Sequence, residues 1–279
     1  MDKLFRDISF STSKLITGRY STSFSRAVSY LAPDIREAIY SIYGFVRLAD
    51  EIVDSFHEYD KEKLIALFER DYLEALENRI SLNPALNAFQ ETVRKYNIPD
   101  ELISAFMKSM KADLVKSSYK TKDETDQYIY GSAEVVGLMC LMILVRGDRQ
   151  LYDVLKKPAQ QLGAAFQKVN FLRDIRTDIE ELNRYYFHNT ADKEFSEKIK
   201  KEIIEDIRQD FASALEGIRK LPADSRIGVL IAYYYYLALL KKIDKTPARM
   251  QFEKRIRVPD AFKLLILGKA LLVSKLRLI

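Results

Sequence analysis

Cysteine, histidine, tryptophan, glycine and proline are all scarce in this chain of 279 residues, and the scarcity removes whole classes of function. Cys140 is the only cysteine, so no disulfide can form within the chain, and a reducing cytoplasm is the expected setting. His57 and His188 are the only histidines; with one Cys beside them, a zinc site lacks its usual ligands and a Ser-His-Asp or Cys-His mechanism lacks candidates. A di-iron bundle wants Glu-x-x-His pairs, but Asp54 stands three before His57 and Tyr185 three before His188. Nine Gly and seven Pro are too few for a turn-rich β architecture. No run of about 20 uncharged apolar residues reads as a membrane span, and Met1–Phe10 lacks the apolar stretch of a signal peptide. The net charge of +5 is mild and gives nucleic-acid binding no support. Any chemistry therefore falls to Asp, Glu, Asn, Arg, Lys and Tyr.

What is abundant is apolar and charged residues in helical order, 48% and 30% of the chain. From Pro33 to His57, Ile35, Ile39, Ile42, Val46, Ala49, Val53 and Phe56 recur at steps of three and four, one apolar stripe of a helix. A second such helix is expected from Pro158 to Asn183, with Leu162, Ala165, Val169, Leu172, Ile175, Ile179 and Leu182 as its stripe. Further helices are expected over 61–78, 85–96, 101–116, 125–144, 196–221, 226–243 and 259–279, with a break at Lys157-Pro158 among others. No internal repeat or long linker divides the chain. The expectation is an all-α, single-domain bundle of eight to ten helices over residues 1–279.

Beside the first apolar stripe, one residue further on, lie Tyr43, Arg47, Asp50 and Asp54. Two aspartates four residues apart share a helix face and repel each other, and a divalent cation is a good reason to keep them together. Magnesium prefers hard oxygen ligands, typically one or two carboxylates plus phosphate oxygens. The second helix repeats the design with Gln167, Asn170, Asp174 and Asp178, and Arg173 is adjacent. Facing each other, the two helices would set four aspartates around one cavity, an arrangement suited to Mg²⁺ gripping a diphosphate. The same spacing at Asp206 and Asp210, among Glu202, Glu205 and Arg208, reads as an ordinary solvated face.

The blocks Tyr20–Phe24 (YSTSF), Ala38–Asp54 (AIYSIYGFVRLADEIVD), Tyr130–Met139 (YGSAEVVGLM) and Gln167–Asp178 (QKVNFLRDIRTD) occur in an order that resembles the phytoene and squalene synthase family, over residues 18–258. The likeness is nearest to its bacterial phytoene-forming members. It implies an isoprenoid-synthase bundle with a central apolar cavity. It also implies a Mg²⁺-dependent prenyltransferase, Mn²⁺ being the natural substitute, that joins two geranylgeranyl diphosphates head to head. The product route runs through a cyclopropylcarbinyl diphosphate to phytoene, the first step of carotenoid biosynthesis. Asp50 and Asp54 match the family's first metal motif, and Asn170, Asp174 and Asp178 its second. Arg47 and Arg173 match diphosphate-contacting positions, Tyr43 and Gln167 positions lining the site, and Tyr236, within Tyr233–Tyr236, a C-terminal tyrosine that contacts diphosphate. Ser21 and Ser23 match serines near one diphosphate; capping of the next helix is the competing explanation. Arg249, Arg255 and Arg257 compete for the family's C-terminal arginine. Glu134 stands where the family has a glycine, which bears on close backbone approach there. The motifs "DEIVD" and "DIRTD", in place of D-D-x-x-D, point to the head-to-head branch.

An allylic cation reacts with water, so such a pocket must be dry, and aromatic faces stabilise the cation by roughly 0.5–2 kcal/mol each. Two alternatives stay open: a squalene or dehydrosqualene synthase using two farnesyl diphosphates, and a non-catalytic helical assembly factor. The stretch Lys263–Ile279 is apolar with Lys269, Lys275 and Arg277 interleaved. A last bundle helix with a basic end is the preferred reading, with peripheral contact to an anionic membrane as the alternative.

Overall fold

The computed structural model describes residues 2–187, 195–253 and 255–275, with only the backbone described for 260, 261, 274 and 275. Among these residues there is no β-strand, only an isolated bridge between Ser118 and Tyr185. The helices are α1 (Lys3–Tyr20), α2 (Thr22–Val28), α3 (Pro33–Ser55), α4 (Lys61–Asn78), α5 (Pro84–Tyr96), α6 (Asp100–Ala112), α7 (Lys122–Ile129), α8 (Val135–Leu144), α9 (Arg149–Glu180), α10 (Glu197–Lys220), α11 (Ala223–Lys245) and α12 (Asp260–Lys275). His188 lies outside the described residues, as do the side chains of Lys275 and Arg277 and the expected run of the last helix to Ile279.

Twelve described helices exceed the eight to ten expected, and α1 and α2 are the pair that periodicity did not reveal. The buried face of α1 is Ser9, Phe10, Ser13 and Thr17, mostly hydroxyls rather than apolar side chains. These hydroxyls return to their own helix: Ser9 Oγ donates to the Phe5 carbonyl and Thr17 Oγ1 to that of Ser13, both at 2.8 Å. Small residues let α1 lie close on α3, where a Cβ on Gly44 would come within 2.9 Å of Ser13 Oγ.

The stripe expected on α3 is buried at Ile35, Ile39, Ile42, Ala49 and Val53, and Pro33 starts the helix where its missing N–H costs nothing. The helix stops at Ser55, so Phe56 falls outside and is exposed. The break expected at Pro158 does not occur. Asp148 caps α9 by accepting from the Leu151 N–H at 3.0 Å, and the helix runs through Pro158. The ring is accommodated because α10 presents Gly217, whose added Cβ would sit 2.3 Å from Pro158 Cβ.

The helix expected over 125–144 is interrupted by a π-helical turn, Tyr130–Glu134, between α7 and α8. Backbones approach closely here. A Cβ on Gly163 would lie 2.7 Å from the Ala133 carbonyl oxygen, and one on Gly137 2.9 Å from that of Ala159. The close approach that Glu134 put in question is thus made by Gly163 and Gly137. Glu134 instead accepts from Gln160 Nε2 at 2.9 Å. The stretch Lys122–Leu144 is long and apolar enough to cross a membrane by composition, but it is a core element: Val135, Leu138, Met139, Met142 and Ile143 are fully buried.

Two hydrophobic clusters result. One gathers α3, α5, α6 and α8 around Phe45, stacked on Phe89 at 4.0 Å; the other gathers α9, α10 and α11. Members of both line a single internal cavity.

Candidate active site

The cavity has a volume of about 540 Å³, within the usual range for ligand pockets. Its depth is apolar, lined by Leu31, Ile39, Leu141, Leu144, Leu155, Leu162, Ile218 and Leu221. Its other end is densely charged. Tyr43, Arg47, Asp50 and Asp54 of α3 meet Gln167, Asn170, Arg173, Asp174 and Asp178 of α9 there, with Ser21, Tyr236 and Arg255.

On α3, each helical step of three or four carries the polar stripe along the cavity wall while the adjacent stripe stays in the core. Arg47 is ion-paired with Glu51 and lies over the Tyr20 ring at 4.3 Å. Its Nε is buried without a hydrogen-bond partner, and the residue lines the cavity. Tyr43 stacks on Phe24 at 5.2 Å. On α9, Asp174 is gripped from two sides: Arg173 Nε donates to both its oxygens at 3.0 Å, and Arg255 donates at 2.6 and 3.2 Å. Arg255 is therefore the C-terminal arginine at the cavity; Arg249 and Arg257 do not line it. Tyr236 stacks on Phe166 at 4.0 Å and donates its hydroxyl to Asn170 Oδ1 at 3.3 Å.

The four aspartates do not share one electrostatic state. Burial, then the Asp54 charge, pushes the Asp50 carboxyl up to about 7. Burial, Asp174 and Asp54 push Asp178 up to about 8. The α3 and α9 pairs line the same cavity. For Asp174, burial pushes upward, but Arg173 and Arg255 outweigh it and hold its carboxyl below the ordinary range. Among the described residues, no protein group donates a hydrogen bond to the carboxylates of Asp50 or Asp178.

Whether this set fits a metal is a question of donor chemistry. Asp50, Asp54, Asn170, Asp174 and Asp178 offer only hard oxygens, which suits Mg²⁺ and excludes soft-metal preferences. No three Asp, Glu, His or Cys converge on one point among the described residues. The protein alone then supplies few ligands to any ion, as expected for magnesium completed by water and phosphate oxygens. The residues fit.

Ser21 does both things expected of it. Its Oγ accepts from the Phe24 N–H at 3.4 Å, capping α2, and the residue lines the cavity. Ser23 does not join it. It lines a separate cleft with Arg26, Tyr235 and Lys263 between α2, α11 and α12. Asp206 and Asp210 are not an ordinary solvated face: both pair with Lys168 of α9, Asp210 at 2.8 Å, and Lys168 and Asp210 are largely buried. The sequence could not show this because Lys168 lies on another helix. Asp113, Arg184 and Tyr186 also line the charged end of the cavity and went unnoticed. Asp113 ends α6 and Arg184 follows α9, so neither belongs to a periodic stripe that would single it out.

A protein-family model described as squalene/phytoene synthase matches residues 17–261. Among curated proteins, the chain is 27% identical to phytoene synthase 2, chloroplastic, of Oryza sativa subsp. japonica, over 91% of this chain and 68% of that one. It is 28% identical to 15-cis-phytoene synthase of Synechocystis sp., over 91% of this chain and 82% of that one. Among solved structures, a dehydrosqualene synthase in complex with ligand superposes with a TM-score of 0.83 at 20% identity, covering 97% and 98% of the two chains. The squalene synthase HpnC of Alicyclobacillus acidocaldarius superposes with a TM-score of 0.74 at 18% identity, covering 91% and 98%.

Proposed function

The chain belongs to the squalene/phytoene synthase family and is an enzyme of its prenyltransferase type, and from that premise we propose that it condenses two geranylgeranyl diphosphates head to head to phytoene. The observation that carries this reading is the cavity itself, an apolar depth closed at one end by two aspartate pairs and four arginines. The curated phytoene synthases among its relatives favour the C20 substrate.

In this reading the diphosphate sits among Arg47, Arg173 and Arg255, and the isoprenyl chains extend along the leucine-lined depth. Asp50, Asp54, Asn170, Asp174 and Asp178 hold Mg²⁺, which when bound supplies positive charge against the leaving diphosphate. Arg47, with its unpaired Nε, and Arg173 add fixed charge where the leaving group develops its own. The apolar lining excludes water from the allylic cation. Phe166 and Tyr236, stacked beside Asn170, present aromatic faces at the boundary of the two regions. No side-chain nucleophile is required, which agrees with the half-buried Cys140 having its thiol pushed up to about 12 by desolvation.

The product is oily, and α12 offers a route toward lipid. Its inner face packs on α11 through the fully buried Ala270, with Lys269 over the Tyr234 ring at 4.6 Å. Its outer face exposes Phe262, Leu264, Leu265, Leu271 and Leu272. From Lys241 onward the sequence has eleven Lys and Arg against three Asp and Glu, so the rest of the chain is net negative. This end of the protein is read as a peripheral contact to an anionic membrane.

Product analysis tests the reaction. Purified protein is given C20 or C15 isoprenyl diphosphate, with Mg²⁺ or EDTA, with and without NADPH. Phytoene from the C20 substrate, dependent on Mg²⁺ and not on NADPH, is expected. A C30 hydrocarbon from the C15 substrate alone would make it a squalene-type or dehydrosqualene-type synthase instead. No hydrocarbon from either substrate would remove the enzymatic reading.

A further inference from the structure

Each aspartate pair has one member tied to arginine and one left free. In the second pair Asp174 is tied and Asp178 free; in the first, Asp54 is tied, by Arg184 Nη1 at 2.7 Å, and Asp50 is free. Arg184 is itself unusually well held for a residue beyond a helix end. Its own N–H donates to the Asp178 carbonyl at 2.7 Å, and the neighbouring Tyr185 N–H to that of Ser117 at 2.9 Å. The guanidinium is buried. Nη2 donates to the Asp113 carbonyl at 3.2 Å and Nη1 is 3.3 Å from the Tyr186 hydroxyl. Those partners are fixed in turn. Tyr128 donates its hydroxyl to Asp113 Oδ2 at 2.8 Å, and the Tyr186 ring stacks on Phe171 at 4.1 Å and on Tyr128 at 5.2 Å.

Resting on the function proposed above, we infer that Arg184, anchored by Asp113 and Tyr128, is a positioning residue for the first aspartate motif. It engages Asp54 Oδ1 and so fixes the rotation of that carboxylate, leaving Oδ2 and Asp50 to face an incoming cation. Outer partners of this kind orient ligating carboxylates, and losing them typically weakens metal binding 10–100-fold. A surface ion pair would not have this effect. Arg184 is 8% exposed at its side chain and contacts three elements, α3, the end of α6 and the segment after α9. The arginine does not merely block the site, because Asp50 and Asp178 remain free of hydrogen-bond donors beside it.

The test is Mn²⁺ binding in the presence of inorganic diphosphate, followed by electron paramagnetic resonance, on the full chain. Arg184→Gln is expected to weaken Mn²⁺ binding about 10–100-fold, Arg184→Lys to recover part of the loss, and Tyr128→Phe to weaken it by a smaller factor in the same direction. Circular dichroism and thermal melts accompany each variant. Binding by folded Arg184→Gln that equals or exceeds wild type overturns the inference, because it makes Arg184 a bystander or a competitor. Should Arg184→Gln not fold, wild-type affinity in folded Tyr128→Phe overturns it equally. Wild-type protein that binds no Mn²⁺ with diphosphate sinks the functional reading underneath, a different outcome from binding that ignores Arg184.

Discussion

Asp174 and Asp178 lie one helical turn apart and face opposite conditions. Asp174 is ion-paired with two arginines and Asp178 with none among the described residues, so their neutral variants should move stability in opposite directions. Asp174→Asn leaves the mostly buried Arg173 without its carboxylate, and removal of one partner from a buried pair costs about 3 kcal/mol or more. A clear loss in chemical denaturation is expected. Asp178→Asn removes a charge that burial and its neighbours oppose. It should stabilise the metal-free protein while lowering activity on the order of 10²-fold or more. A pH dependence follows with a definite sign. The folded carboxyls of Asp50 and Asp178 titrate near 7 and 8, above an unfolded value of about 4. Between those limits the folded state binds more protons than the unfolded one, so stability falls as pH rises. Melting of metal-free protein should therefore drop from about pH 5 to pH 8, and Asp178→Asn should flatten the drop. A metal-free melting temperature that rises over this window would contradict the assignment. The sequence showed these four aspartates because each pair repeats along one helix. It could not show which member of a pair is tied, since Arg184 and Arg255 arrive from segments with no fixed spacing to the motifs.

At the scale of elements, α3 and α9 were readable because a clean apolar stripe and a polar stripe run side by side along each. The first helix, α1, was not, since its buried face is hydroxyls that satisfy themselves on its own carbonyls. Pro158 misled because a proline usually marks a helix start or break, and only the glycine opposite it on α10 explains its tolerance. The π-helical turn at Tyr130–Glu134 leaves no signature in periodicity, yet it sets the contact between Ala133 and Gly163 that closes the cavity wall. Gly163→Ala would drive a methyl against a backbone carbonyl that no rotamer change can move. It should cost about 1–3 kcal/mol and reduce activity with it. Gly268→Ala on α12 has no heavy atom within 4 Å of the added methyl. It should raise stability by about 0.5–1 kcal/mol, the helix-propensity gain alone. Comparing both variants by denaturant midpoint separates close approach from propensity; equal effects would count against the packing described for α8 and α9.

For the whole molecule, charge and apolar surface are unevenly placed, with cations and exposed leucines gathered toward α12 while the aspartates line the interior. The protein should sediment with anionic lipid vesicles and much less with neutral ones, and rising salt should release it. Leu265→Ser with Leu272→Ser should weaken that binding and leave turnover of dispersed substrate intact. Vesicle binding indifferent to lipid charge and to these leucines would remove the membrane reading. The central claim is different and concerns the interior: two aspartate pairs release diphosphate from an allylic substrate. The most direct measurement is the rate of inorganic diphosphate release from geranylgeranyl diphosphate, for wild type and for Asp50→Asn, with Mg²⁺ and with EDTA. Release that requires Mg²⁺ and largely disappears in Asp50→Asn is the expected result. Release that persists in EDTA, or that the folded variant retains at the wild-type rate, would contradict the account.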